Sequence, residues 1–286
     1  MAYIKKIWKD YPDATTPILA EDLNNIENGI EAVDTALENI ENNVNNIEDG
    51  LETVTNNVNN GWISLNGTFT YSSANSPTFV VTTSVDLTGI VGLGMRIKLT
   101  QATTQYFIVT AITNGSITMY GGTDYTLTNA SISNVYYSML KAPYGFPMDP
   151  KKWTLELNSV ARVAQTSPTK DTWYNLGGLS ILLPVGIWDT YYQAETQHQR
   201  ETAGIPLVYC ALSTNASSVS DNDLKTQGFV SSVSICALTL STRKTITVTT
   251  PTTFYLIAST NQYGATELAF RGEMTPTIVR ATCAYL

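Results

Sequence analysis

Between residues 23 and 58, apolar side chains recur alternately three and four positions apart: Leu23, Ile26, Ile30, Val33, Leu37, Ile40, Val44, Ile47, Leu51, Val54 and Val58. A helix resting on a globular core shows a wider apolar stripe that drifts with the 3.6-residue period. This line instead holds a 3.5 period without a stutter, the pattern of a coiled-coil seam. With Leu23, Ile30, Leu37, Val44, Leu51 and Val58 at a, the d positions are Ile26, Val33, Ile40, Ile47 and Val54, all β-branched. That choice disfavours a parallel pair and predicts a trimer. The e positions Glu27, Asp34, Glu41 and Glu48 have no basic partners at g, so apolar packing and not ion pairs must hold the chains. The helix is expected to start at Thr16-Pro17, where Thr caps and Pro fits the first turn, and to stop at Asn59-Asn60-Gly61. Its seam would span about 54 Å at 1.5 Å per residue. Asn42-Asn43, Asn56-Asn57, Gly29 and Gly50 are poor helix formers, which couples folding of the helix to assembly.

After Trp62 the period changes to two. Strands are predicted at residues 68–71, 78–81, 95–99, 105–109, 116–120 and 135–137, separated by Asn66-Gly67, Asn114-Gly115 and Gly121-Gly122. Asn114-Gly115 is the pair a two-residue hairpin turn prefers. The run Gly145-Phe146-Pro147-Met148-Asp149-Pro150 is too proline-rich for either regular element and reads as a linker or rigid elbow. Beyond it, strands are predicted at 153–157, 160–163, 179–183, 190–194, 206–210, 233–240, 244–248, 253–258, 268–270 and 275–285. The fold expected is mostly β: an N-terminal trimeric coiled coil, a small β barrel or sandwich, and a C-terminal jelly-roll-like β-sandwich. The corresponding segments are 1–16, 17–61, 62–147 and 148–286.

Two groups of residues resemble a known class. Trp8, Pro12, Thr16-Pro17-Ile18, Ala20 and Leu23-Asn24-Asn25-Ile26-Glu27-Asn28-Gly29-Ile30 resemble the opening of tail and baseplate-associated fibre proteins of phages of Gram-positive hosts. Leu99-Thr100-Gln101, Gln105-Tyr106-Phe107-Ile108-Val109, Gly121-Gly122-Thr123-Asp124-Tyr125 and Gly145-Phe146-Pro147 resemble a small β domain of phage fibre and host-attachment proteins. Leu183-Pro184-Val185-Gly186-Ile187-Trp188 loosely resembles a strand lead-in of their C-terminal heads. Leu19 departs from the pattern, where a small polar residue is usual. The resemblance implies a virion protein. Its first residues, with Trp8 and Tyr11, would dock onto another virion protein, and its distal domain would meet a host cell-surface polysaccharide. A head fibre or capsid decoration protein without a host receptor shares the same elements and stays open.

Composition narrows the chemistry. The chain of 286 residues has a net charge of -8 from only 14% charged residues. It shows no basic cluster for a nucleic-acid backbone or an anionic membrane. It has no apolar run of about 18 residues and no basic-then-apolar leader, so neither membrane insertion nor secretion is expected. Cys210, Cys236 and Cys283 are far apart, form no CxxC, and read as small buried hydrophobes with room for one disulfide at most. His198 is the sole histidine, inside the polar run 193–201, which reads as a solvated loop or sheet edge. No G-x-S-x-G elbow accompanies it, and Gly121-Gly122 lacks the GxxxxGK pattern. Asp189, Glu195, Glu201, Asp221, Asp223, Glu267 and Glu273 supply carboxylates whose separations the sequence does not give. The expectation is therefore no enzyme, no metal and no cofactor. Glycan binding needs only an aromatic platform with fixed polar groups. The candidate set is Trp188, Asp189, Tyr191, His198, Arg200 and Tyr263, weighed against core packing for Trp188.

Overall fold

The structure, a computed structural model, describes residues 20–200, 207–229 and 235–286. The helix α1 runs over Ala20–Asn60. It stops where Gly61 takes φ +68, the left-handed conformation that a helix terminus favours and only glycine adopts without strain. The expected start at Thr16-Pro17 and the docking residues Trp8 and Tyr11 lie outside the described residues.

The trimeric coiled coil is corrected by the structure, in which α1 is a single helix with no second helix beside it among the described residues. Leu23, Ile30, Val33, Leu37, Ile40, Val44, Ile47, Leu51, Val54 and Val58 are all exposed, Val58 at 74%, and Ile26 is half-buried. The 3.5 period fixes a straight apolar line on one helix, but a line is a local property, and a coiled coil also needs a second helix to cover it.

Residues Gly61–Leu286 form the second unit. Its first part holds β1 (Ile63–Ser64), β2 (Phe69–Asn75), β3 (Thr78–Thr83), β4 (Arg96–Thr100), β5 (Thr104–Thr113), β6 (Ser116–Tyr120) and β7 (Ser133–Ser138). These make one antiparallel sheet in the order β1-β7-β4-β5-β6-β3-β2. Every strand predicted here is present, and only the short β1 is additional. β5 and β6 pair Thr113 with Ser116 across Asn114-Gly115, where Gly115 sits at φ +79, the positive φ such a turn demands. The expected barrel or sandwich is corrected to this single seven-stranded sheet, with no pairing of β2 to β1 among the described residues. Bulges at Tyr71/Ser73, Lys98/Thr100 and Val109/Ala111 bend it. Phe79, Ile97, Leu99, Phe107, Val109, Ile117 and Met119 lie together in its core.

The second part holds β8 (Thr154–Ser159), β9 (Arg162–Thr166), β10 (Ser180–Leu183), β11 (Gly186–Arg200), β12 (Leu207–Ser213), β13 (Lys225–Phe229), β14 (Ile235–Val248), β15 (Thr252–Thr260), β16 (Ala265–Arg271) and β17 (Thr277–Cys283). They form a β-sandwich of a four-stranded sheet, β10-β15-β12-β13, and a six-stranded sheet. The long β11 organises the latter. One edge pairs with β14 along nearly its full length; the other pairs first with β17 and then with β16. β8 and β9 complete the sheet on β17 and β16. The strand orders β8-β17-β11-β14 and β10-β15-β12-β13 are those of the expected jelly-roll-like sandwich. The arrangement corrects the reading of the polar run 193–201 as a solvated loop or sheet edge: residues 193–200 are interior strand, because the neighbours on both edges satisfy their backbone groups. β13 carries little apolar signal, and the sequence did not mark it.

The two β regions share one aromatic core. Tyr120 at the end of β6 meets Trp188 edge-on at 5.0 Å and Trp153 at 5.9 Å, while Phe146 stacks on Trp153 at 5.0 Å. Trp153 Nε1 donates to Pro147 O at 2.7 Å and Trp62 Nε1 to Tyr144 O at 2.8 Å, so the proline-rich run is held as an elbow. Arg96, fully buried, donates to the carbonyl oxygens of Gly94, Lys141 and Tyr285 and lies 4.8 Å from the Phe146 ring centroid. Its fork thereby ties β4 to the end of the sandwich.

Candidate functional site

The six residues singled out for glycan contact do not share one surface. Strand alternation on β11 turns even positions toward the sandwich interior. Trp188 is fully buried and donates Nε1 to Pro184 O at 2.8 Å, which makes it core. Tyr192 is buried too, and its hydroxyl crosses to the other sheet, donating to Cys210 O at 2.8 Å. His198 and Arg200 are buried near the end of the same strand. Burial, with the charge of Arg200 adding to it, pushes His198 down to about 4, and its Nε2 has no hydrogen-bond partner. Asp189 and Tyr191 lie on the opposite, outer face of the six-stranded sheet, Asp189 accepting from Thr245 Oγ1 and the Tyr191 hydroxyl donating to Gln193 at 2.8 Å. Tyr263 stands apart in the β15–β16 loop, 75% exposed.

The carboxylates on that outer face are engaged by arginines. Glu195 Oε1 lies 3.1 Å from Arg271 Nη1, Glu267 pairs with Arg162, and Glu273 sits 3.8 Å from Arg162 and 3.6 Å from Arg271. Thr275 and Gln197 donate to Glu195 and Glu267 at 2.6 and 2.9 Å. Among the described residues no three His, Cys, Asp or Glu side chains come together as a metal site. No described helix is long and apolar enough to cross a membrane. Cys210, Cys236 and Cys283 are free; burial pushes the Cys210 thiol up, and that of Cys283 to about 11.

A different surface gathers aromatic and polar groups: the outer face of the four-stranded sheet. The loop before β10 runs beside β15, with Tyr174 N donating to Ala258 O and Ala258 N to Tyr174 O, both at 2.9 Å, and Asp171 N to Thr260 O at 2.8 Å. Tyr174 opposite Ala258 points inward, so Trp173 lies beside Ser259 on the outside. Ser259 pairs with Tyr209 on β12, and Tyr209 pairs with Gln227 on β13. A row Trp173, Ser259, Tyr209, Gln227 therefore crosses the sheet. The small Ser259 lets the two rings converge to 6.0 Å, tilted by 51°, above it. Lys225 Nζ stands 5.8 Å from the Tyr209 ring, a cation–π distance. With Asp171 these residues line a cavity of about 240 Å³. Asp171 holds φ +58, a conformation rare outside glycine that Asp tolerates.

Sequence reasoning missed this site. Trp173 falls outside any periodic segment and β13 was unrecognised, so nothing in the chain places Trp173, Tyr209 and Gln227 side by side. Of the six residues singled out from the sequence, Tyr263 approaches this surface, through Lys170, whose Nζ lies 4.5 Å from its ring centroid and 3.8 Å from Asp171.

No protein-family profile and no curated protein sequence matches the chain. Among solved structures, dimeric latent PorU from Porphyromonas gingivalis overlays 76% of the chain with a TM-score of 0.28 and 9% identity. Infectious bursal disease virus, Gx strain, overlays 75% at 0.21 and 12%, and the VP2 subviral particle of that virus 76% at 0.19 and 15%. The chain spans 24% of the PorU chain and 62% and 63% of the two viral chains. At such scores the overlays define no common fold.

Proposed function

We propose that the chain is a virion surface protein, a phage fibre, that self-associates through α1 and uses its β unit to bind a host-surface polysaccharide. The reading rests on the row of Trp173, Tyr209 and Gln227 with Asp171 and Lys225. It offers aromatic faces for sugar rings and fixed donors and acceptors for hydroxyls, the combination a saccharide site requires. The sequence resemblance to phage fibre proteins supports the virion setting. The exposed apolar line on α1 supports self-association, since so long an uncovered apolar stripe favours burial. Several copies would turn weak single contacts into firm attachment through effective concentration. The role is binding and not catalysis. In this reading the segment with Trp8 and Tyr11 docks on another virion protein.

The test is saturable binding of the full chain to a panel of Gram-positive cells and to their extracted wall polysaccharides. Binding confined to some cell types supports attachment. No binding to any supports the alternative, a head fibre or decoration protein without a host ligand. Sedimentation equilibrium giving a monomer at micromolar concentration would remove the self-association.

A further inference from the structure

A further aromatic ring is linked to the rim of the cavity. Asp171 at its rim lies 3.8 Å from Lys170 Nζ, and that ammonium sits over the ring of Tyr263. The loop presenting Tyr263 is fixed: Gln262 N donates to Thr260 Oγ1, Leu207 N donates to Asn261 Oδ1, and Gly264 adopts φ +66 to turn the chain into β16. A single exposed tyrosine requires no explanation. This one is linked through Lys170 to Asp171, at the rim of the cavity that Trp173 and Tyr209 line.

We propose that Trp173–Tyr209 and Tyr263 are two subsites of one groove that takes a linear polysaccharide of uncharged pyranose units. This rests on the reading of the β unit as a polysaccharide-binding surface. The cavity of about 240 Å³ lies below the range of drug-sized pockets and suits one sugar ring at a time. Its neighbour in the polymer then reaches Tyr263. Uncharged units follow from how the cations are engaged: Lys170 is paired with Asp171 and covered by Tyr263, Lys225 stands against the face of Tyr209, and Asp171 and Gln227 give acceptors while Gln227 and Lys225 give donors. A hydroxylated ring supplies both complements.

The experiment titrates the full chain with oligosaccharide ladders of one to four units from glucose, galactose and N-acetylglucosamine series, followed by calorimetry and tryptophan fluorescence. Affinity is expected to rise from one unit to two or three in one series and then level off. Tyr263→Ala should remove that rise, a loss of about threefold to tenfold for a stacked ring, and leave single-unit binding unchanged. Trp173→Ala and Tyr209→Ala, checked for folding by circular dichroism, should lose both. Affinity that is independent of length, equal loss of short and long ligands in Tyr263→Ala, binding of anionic polymers alone, or no response to any ladder would overturn the groove. Cell adsorption by the same variants separates the two readings. Adsorption with no response to any ladder, undiminished in Trp173→Ala, refutes the groove and leaves attachment standing. Ladder binding by a protein that adsorbs to no cell keeps the groove and removes attachment.

Discussion

Replacing His198 by leucine should flatten the acid sensitivity of the β unit between pH 7 and pH 5. The imidazole is 2% exposed, faces the sandwich interior beside Arg200, and leaves Nε2 unpartnered. Burial holds it neutral, with its pKa lowered from 6.5 to about 4. In the unfolded chain the same group takes up a proton near pH 6.5, so the unfolded state binds more protons between pH 6.5 and 4. Stability is therefore full above about pH 6.5 and falls as the pH drops through that window. Linkage gives a loss of about 0.8 kcal/mol at pH 6 and about 2 kcal/mol at pH 5. In a unit of this size that is roughly 4–8 °C in melting temperature at pH 5. Asp86, Asp124 and Asp221 have lowered pKa values and lose their contribution only below the ordinary carboxylate range, which keeps the window specific to His198. Urea unfolding at pH 7, 6 and 5, followed by the fluorescence of Trp62, Trp153 and Trp188, reads the slope directly. His198→Leu should lose most of it and be no less stable than wild type at pH 5. An unchanged slope in the variant would refute the assignment of a neutral, buried imidazole.

Other substitutions test the packing. Trp188→Ala opens the shared core beside Tyr120 and should cost about 3–5 kcal/mol in urea unfolding. Arg96→Lys keeps the charge but loses the fork that reaches three carbonyls, for a cost of about 2–3 kcal/mol by the same assay. Gly122→Ala forces a Cβ at φ +66 against the Lys152 carbonyl oxygen and should cost about 1–3 kcal/mol, seen as a lower melting temperature. Ile40→Asn with Ile47→Asn places polar groups on the exposed line of α1; sedimentation equilibrium should show weaker self-association, with the β-unit melting temperature unchanged.

Much of the middle region was legible from local pattern. Alternation and turn residues located β2 to β7, because hairpin-linked strands with one buried face carry their own period and their own Asn-Gly or Gly-Gly punctuation. The sandwich was read less well. A strand such as β11, paired on both edges, can bury Thr196, His198 and Arg200 near its end, so its polar composition there imitated a loop. Predicted strands 233–240 and 244–248 are one strand, β14, since Ser241-Thr242-Arg243 has no turn to make when β11 continues alongside.

By itself the sequence determined the change from a 3.5 to a two-residue period at Gly61, the end of α1, the straight apolar line along it, and most strands. These are local properties, carried by side-chain spacing and by glycine's conformational freedom. Only the tertiary structure decided which strands share a sheet, that Trp188, His198 and Arg200 are buried, and that Trp173, Ser259, Tyr209 and Gln227 form a row. Pairing in this β unit joins residues far apart in the chain, and the register between them is set by the burial of both partners together. No single segment records it.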